Sequence, residues 1–448
     1  MNSEVATRLF SPEDQTGFAN LSGDFNPVHL DSVVARRSSA GAPIVHGIHA
    51  VLWALDALFR RHILVPPIAS IEAQFRNVIY VSTPVSLRVT RGNAKAIRAE
   101  LWTESLCAIV LSVGLGVAKS EQSHPYGETL REIDAGPVAH AFPEVARVLG
   151  RARTAAIAQL SALVGMVRPG LYSMLGGFMV QLTAESGELL SFATRKFDER
   201  FRMMEIDMNG PGITGTVTAF MRHAPIKQPA FDEIRKLIAA DEFAGSDALI
   251  VGGSRGLGAV TAKILAAGGA QVIVTYVAGE SDARELCAEI GDAHCRAIRY
   301  DVINEASPQL AAIDLPIDQL YYFATPYIGR QSQAEFQRYY VDGFVAICRA
   351  LRAYGNENLK VFYPSTVAIE APVAGMANYA AAKAAGEESC NLIAHAHSGV
   401  HVITKRLPRI LTDLTASLLQ PQVAGAVETM LPIIREMHNS REQARSPE

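Results

Sequence analysis

From residue 247 onward the chain alternates near-continuous apolar runs with amphipathic segments: DALIVGG, AVTAKILAAG, AQVIVTY, ESDARELCAEI, CRAIRYD, DQLYYFA, FVAICRALRAY, LKVFYPS, ANYAAAKAAGEESCNLIAHAH and VHVITKRL. A strand with no polar positions is one that is covered on both faces. The texture therefore predicts an α/β doubly wound parallel-sheet domain with helices on each side.

Upstream the pattern changes. Between 68 and 118, IEAQFRNVIYV, PVSLRVTRG, AIRAELWTE and CAIVLSVGLGVA alternate apolar and polar residues, which predicts an antiparallel meander. PIVHGIHAVLWALDALFRRHI at 43–63 is apolar on all faces, so it reads as a buried helix, and a sheet wrapped around it suits residues 1–120. The next hundred residues repeat that order more faintly. SALVGMVRPGLYSMLGGFMVQL at 161–182 stands where the helix stood, and LLSFATRKF, RFRMMEIDM and GITGTVTAFMRHA read as strands of a second, diverged copy lacking any counterpart of Asp24 or His29. KQPAFDEIRKLIAADEFAGSD at 227–247 is charged and bounded by Pro and Gly, as a linker would be. The expected divisions are 1–125, 126–226, a linker at 227–245, 246–435 and a polar tail at 436–448.

Composition narrows the partners. With 41 basic against 45 acidic residues and no Lys/Arg stripe, the chain has no nucleic-acid footprint. Cys107, Cys287, Cys295, Cys348 and Cys390 are scattered, without the paired spacing of a structural metal site, so no metal and a reducing compartment are expected. The N-terminus lacks a basic region followed by an apolar run, and the longest apolar segment, 108–118, is too short to span a bilayer. The expectation is a soluble cytoplasmic protein.

VGGSRGLG at 251–258 follows an apolar strand and opens a helix, the setting in which Gly252, Gly256 and Gly258 suit a pyrophosphate cradle. Tyr379 and Lys383, four apart in NYAAAKAA, share a helix face, and Ser365 and Thr366 end the strand 14 and 13 positions before Tyr379. These residues make 247–435 resemble a short-chain dehydrogenase/reductase of Rossmann type. The resemblance implies Tyr379 as general acid or base, Lys383 as the cation that lowers its pKa and holds the nicotinamide ribose, and Thr366 as the hydroxyl on the reacting oxygen. It also implies cofactor contacts at Gly252, Ser254, Arg255, Gly256, Leu257, Gly258, Thr275, Tyr276, Asp301 and Val302, besides Tyr379 and Lys383. Thr275–Tyr276 stands where an acid would repel a 2′-phosphate and Arg255 lies in the Gly loop, so NADP(H) is favoured over NAD(H). Three departures from the family pattern cluster: YFAT at 322–325 in place of Asn-Asn-Ala-Gly, Tyr340 in place of the relay Asn, and Pro408–Arg409 in place of Pro-Gly. The end of the domain is trimmed, with a short substrate loop and no sign of the customary last strand.

LSGDFNPVHLD at 21–31 can be a plain polar turn, since Ser-Gly-Asp and Asn-Pro are strong turn formers. Its continuation, VARRSSAGAPIVHG, leads into the buried helix, and the whole of 21–47 resembles the hydratase motif of MaoC-like hot-dog dehydratases. That resemblance implies Asp24 and His29 as the acid/base pair, Asn26 as the residue that orients them, and the Gly47 amide as donor to a thioester carbonyl. His46 and His49 read as packing or loop-anchoring residues. In this family hot-dog units work as pairs, so the silent second copy would complete one site.

The expected fold is thus an α+β tandem (double) hot-dog followed by a Rossmann-type domain. The expected function is a bifunctional NADPH-dependent 3-oxoacyl-thioester reductase and (R)-3-hydroxyacyl-thioester dehydratase, acting on chains carried by acyl carrier protein or CoA, with room for a homodimer. A dehydratase with a nucleotide-binding but weak reductase-like domain is the first alternative, and a non-catalytic carrier-docking module the second.

Overall fold

The computed structural model describes residues 3–38, 40–92, 95–104, 106–117, 126–184, 188–311, 313–326, 332–353, 358–371, 376–412 and 424–439. The short segment 413–423 of the expected substrate loop and residues 440–448 of the expected tail lie outside them. The chain divides into two compact units at Ala224–Pro225.

The first unit is one ten-stranded antiparallel sheet. Its strands are β1 (Ser3–Leu9), β2 (Ile68–Phe75), β3 (Pro84–Gly92), β4 (Ala96–Thr103), β5 (Leu106–Leu115), β6 (Glu128–Thr129), β7 (Ser173–Leu182), β8 (Ser191–Asp198), β9 (Met203–Gly210) and β10 (Ile213–Met221), in the order 1-3-4-5-2-7-10-9-8-6. Only β3, β4 and β5 form the expected meander. β2 sits beyond β5 and pairs with β7, Ile71 against Val180, so the two copies share a continuous sheet.

Each copy wraps one helix. The first, α1 (Gly47–Arg60), is shorter than the apolar run predicts because Ile44 and Val45 leave the helix to bond Tyr80 and Ile79 of the sheet side. Leu52, Leu55 and Leu58 are fully buried; truncating such a leucine to Ala costs about 2–5 kcal/mol.

In the second copy the expected helix is displaced. The run RPGLYSMLGGF is not helical: Ser173–Leu182 is β7, pairing on both sides, and the buried helix is α2 (Arg151–Ala162), continued by a π turn at Leu163–Val167. A short apolar run does not separate strand from helix by itself, and Gly176–Gly177 disfavours a helix. The second copy also has only Phe142–Gly150 between its first helix, Ala135–Ala141, and α2, where the first copy has the whole stretch that carries Asp24 and His29.

The second unit is a six-stranded parallel sheet: β11 (Asp247–Val251), β12 (Gln271–Tyr276), β13 (Cys295–Arg299), β14 (Gln319–Tyr322), β15 (Leu359–Thr366) and β16 (Val400–Leu407), ordered 13-12-11-14-15-16. The order reverses between β11 and β14, the crevice where such sheets bind ligands at their carboxyl ends. α3 (Gly256–Ala267) follows β11 and α4 (Ala377–Ala396) follows β15. The segment read as a linker packs Ile234, Ile238 and Phe243 into this unit's core. Among the described residues no helix is long and apolar enough to cross a membrane.

Candidate active sites

In the first unit the polar stretch is folded by its own turn chemistry. Gly23 closes the helix Pro12–Ser22 in the left-handed region, the Asp24 carboxylate accepts from the Asn26 amide, the Asn26 side chain caps the short turn Pro27–Leu30, and Asp31 caps Ser32–Arg36. The result buries Asp24 and Asn26 almost completely, at 2% and 3% exposure.

His29 donates from Nδ1 to the Ile44 carbonyl at 2.8 Å, which leaves Nε2 as the unprotonated nitrogen of the neutral ring, 3.9 Å from Asp24 Oδ2. That gap is too long for a direct bond and short enough for one oxygen held by both groups. Burial holds the His29 pKa below its ordinary value against the opposing pull of Asp24, so the ring is neutral at physiological pH. Gly47 is the first residue of α1, and its amide has no partner within its own helix. The sequence thus brings Asp24, Asn26, His29 and the start of α1 together.

Four residues that sequence reasoning did not single out complete this site. Ser161, on α2 of the second copy, donates to Asp24 Oδ2 at 2.6 Å. Gly165 lies so close that a Cβ there would stand 2.4 Å from Asp24 Oδ1, and its carbonyl accepts from the Asn26 amide at 3.1 Å. Arg222, buried near His29, and Asn26 both bond the Leu171 carbonyl. Gln15 accepts from the backbone and the ring of His46. His46 anchors the loop as expected, but it also stacks on His29 with ring centroids 3.8 Å apart and sets its Nε2 3.0 Å from the Asp24 carbonyl oxygen. Among the described residues the second copy holds no counterpart of Asp24 or His29, yet it clamps those of the first. Asn26 bonds a carbonyl 145 positions away, beyond the reach of any local spacing rule.

In the second unit Thr366 ends β15, where its hydroxyl accepts from the Ala368 N–H on the side facing Tyr379, whereas Ser365 bonds Glu387. Burial raises the Tyr379 pKa above its ordinary value, and the nearby Thr366 hydroxyl partly offsets this. Lys383 Nζ instead donates to the Pro364 carbonyl at 2.7 Å and lies over the rings of Tyr340 and Tyr363, at 4.1 and 4.8 Å. Full burial brings its pKa down to about 7. Two departures from the family pattern compensate each other: the Tyr340 and Thr325 hydroxyls share a hydrogen bond.

The loop after β11 fits a dinucleotide. Gly258 packs against the loop, where a Cβ would stand 2.4 Å from the Gly252 carbonyl, and α3 presents its first-turn amides to the crevice. The expected contact of Thr275 is redirected, because its buried hydroxyl accepts from the Gly252 amide and braces the loop. Arg255 lies 3.8 Å from Asp282, Asp301 accepts from the Ile303 amide within its own turn, and Val302 is buried beside it. Ser254, Leu257 and Tyr276 keep partial exposure along the same edge.

A MaoC like domain matches residues 3–105 and a short chain dehydrogenase domain matches 246–422. The chain therefore joins a MaoC-like unit to a short-chain dehydrogenase/reductase unit. Among curated proteins it is 34% identical over 78 residues to the peroxisomal hydratase-dehydrogenase-epimerase of Saccharomyces cerevisiae, covering 17% of this chain and 8% of that one. It is 33% identical over 82 residues to the mitochondrial 3-hydroxyacyl-[acyl-carrier-protein] dehydratase of Arabidopsis thaliana, covering 18% of this chain and 42% of that one. The chain thus spans less than half the length of either relative. A solved short chain dehydrogenase/reductase family protein is 25% identical, with a TM-score of 0.38 over 43% of this chain and 89% of that one.

Proposed function

We propose that the chain is a bifunctional enzyme that reduces 3-oxoacyl thioesters with a nicotinamide cofactor and interconverts the resulting 3-hydroxyacyl thioesters with 2-enoyl thioesters. The observation that carries the reading is the pair His29 Nε2 and Asp24 Oδ2, buried and 3.9 Å apart, in a chain that also sets Tyr379 beside Thr366. In hydration, His29 Nε2 takes one proton of a water held between the pair as its oxygen adds to C3. That proton then passes from His29 to Asp24 and on to C2, leaving both groups as they began, and dehydration runs the same path backwards. The Gly47 amide faces the thioester oxygen on which charge develops. Asn26 and Ser161 act as positioning residues. Ser161→Ala is expected to lower hydration kcat about tenfold with KM nearly unchanged, because Asp24 loses the hydroxyl that fixes its carboxylate. Steady-state kinetics on a crotonyl-type thioester checks this.

In the reductase unit, the Gly252–Gly258 loop and the start of α3 would hold the pyrophosphate of the cofactor, which supplies a hydride. Tyr379 holds the proton for the carbonyl oxygen, and the Thr366 hydroxyl donates to that same oxygen. NADPH is the preferred form on this reading, supported by Arg255 and by Thr275–Tyr276 at the end of β12 where an acid would repel a 2′-phosphate. The acyl group is carried by acyl carrier protein or CoA, the product has (R) configuration, and the setting is cytoplasmic. Comparing NADPH with NADH, and CoA with carrier-protein substrates, tests these choices.

A second reading, dehydratase alone, is favoured by the engagement of Lys383 with Pro364 and two aromatic rings. Under it, Tyr379→Phe leaves every measured activity intact.

A further inference from the structure

Both imidazoles beside Asp24 are oriented in the same way. His29 Nδ1 faces the Ile44 carbonyl at 2.8 Å, and His46 Nδ1 faces Gln15 Oε1 at 3.0 Å. That oxygen is fixed as an acceptor, since it also takes the His46 backbone N–H at 3.0 Å. With its Nδ1 proton so used, the neutral His29 ring presents an unprotonated Nε2, as does His46 in the tautomer protonated at Nδ1, and the two nitrogens lie 3.9 and 4.0 Å from the same oxygen, Asp24 Oδ2. Both His46 nitrogens face acceptor oxygens at 3.0 Å, Gln15 Oε1 and the Asp24 carbonyl, so in either neutral tautomer one of them faces a lone pair with no proton between. All three ligand atoms lie within 4.8 Å of one another.

An imidazole whose far nitrogen is tied to a carbonyl or amide oxygen is the outer-shell arrangement that orients histidine ligands on metals. Two nitrogens and one carboxylate oxygen match the ligand set of an open zinc site. Tetrahedral bonds of about 2.0–2.2 Å set ligand atoms roughly 3.4 Å apart, so closure needs about half an ångström at each histidine–carboxylate distance and a rotation of the His29 ring out of its stack on His46. Ser161 holds the carboxylate in place for it.

We propose that Asp24, His29 and His46 form a binding site for one divalent zinc-class cation, which occupies the point where the hydratase reading places water and so inhibits that reaction. Only the inhibition rests on that reading; the binding does not. The cation replaces no proton, because both rings coordinate in their neutral form and the carboxylate as its anion.

The test is titration of the full-length, metal-free chain with zinc and with cobalt(II), followed by calorimetry and by the visible absorption of tetrahedral cobalt. One equivalent per chain is expected, with a rise in Tm on zinc addition. Asp24→Asn, His29→Gln and His46→Gln should each weaken binding more than tenfold, while Cys287→Ser and Cys295→Ser leave it unchanged. Zinc should suppress hydration of a crotonyl-type thioester and a chelator should restore it, with NADPH oxidation unaffected. His29→Gln keeps the test readable should His46→Gln fold poorly, since His29 is the least buried of the three ligands. Absence of binding at submillimolar zinc, undiminished binding in His29→Gln, or loss of binding in Cys287→Ser would each overturn the proposal. Binding that is intact in a chain without hydratase activity would uphold the site and refute the hydratase reading.

Discussion

Asp24→Asn is expected to lower hydration of a crotonyl-type thioester by about 10²–10⁴-fold in kcat, the range that a positioned proton-transfer group supplies. The substitution is nearly isosteric. The amide oxygen can still accept from the Asn26 backbone N–H, and its NH2, in the place of Oδ2, can donate to the Ser161 hydroxyl oxygen once that hydroxyl turns, so the loop should keep its shape. What disappears is a group able to hold a proton opposite His29 Nε2. Thermal unfolding should move little, because a buried carboxylate 3.9 Å or more from neutral rings is replaced by a neutral group of the same size. NADPH oxidation by the other unit should be unchanged. A loss of both activities together with a lowered Tm would mean that Asp24 holds the fold rather than the reaction.

The second large effect concerns Lys383. Lys383→Met should remove NADPH-dependent reduction yet stabilise the second unit near neutral pH by a few kcal/mol, as an order of magnitude. The sign follows from linkage. Burial brings the folded-state pKa down to about 7, so the unfolded chain binds this proton more tightly. Below about pH 7 the native state carries the full cost of a buried ammonium. That cost fades as pH rises towards about 10, where the unfolded lysine also loses its proton. The wild type should therefore gain stability from about pH 7 to about 10, and the Met variant should lack that slope. If the ammonium is needed at the site, reduction should also decline as pH rises through about 7. Denaturant unfolding at several pH values, beside the pH profile of NADPH oxidation, reads both. Equal slopes in the two proteins would contradict the account.

Local patterns were legible and distant partnerships were not. Tyr379, Lys383 and Thr366 could be found because a helix repeat and a strand end fix their relation over a few residues. Asp24, Asn26 and His29 sit in one turn and read equally well. Ser161 and Gly165 escaped because their significance lies in a contact with Asp24 about 140 positions away, made only when α2 and α1 are wrapped by the same sheet. The second buried helix was misplaced for a related reason. RARTAAIAQLSA is Ala-rich with little contrast between faces, while the more apolar SMLGGFMVQL belongs to a strand paired on both sides. Thr275 reads as a cofactor contact from its place at the end of β12; only the structure reveals its hydroxyl turned towards Gly252. The departures Thr325 and Tyr340 look like separate losses in the sequence and form one hydrogen bond in the fold.

The account stands or falls on two successive reactions in one chain. Purified protein given NADPH and an acetoacetyl-type thioester, with products followed by mass, should oxidise NADPH and yield first the 3-hydroxyacyl and then the 2-enoyl thioester. If no NADPH is oxidised and a crotonyl-type thioester is not hydrated, the account is wrong.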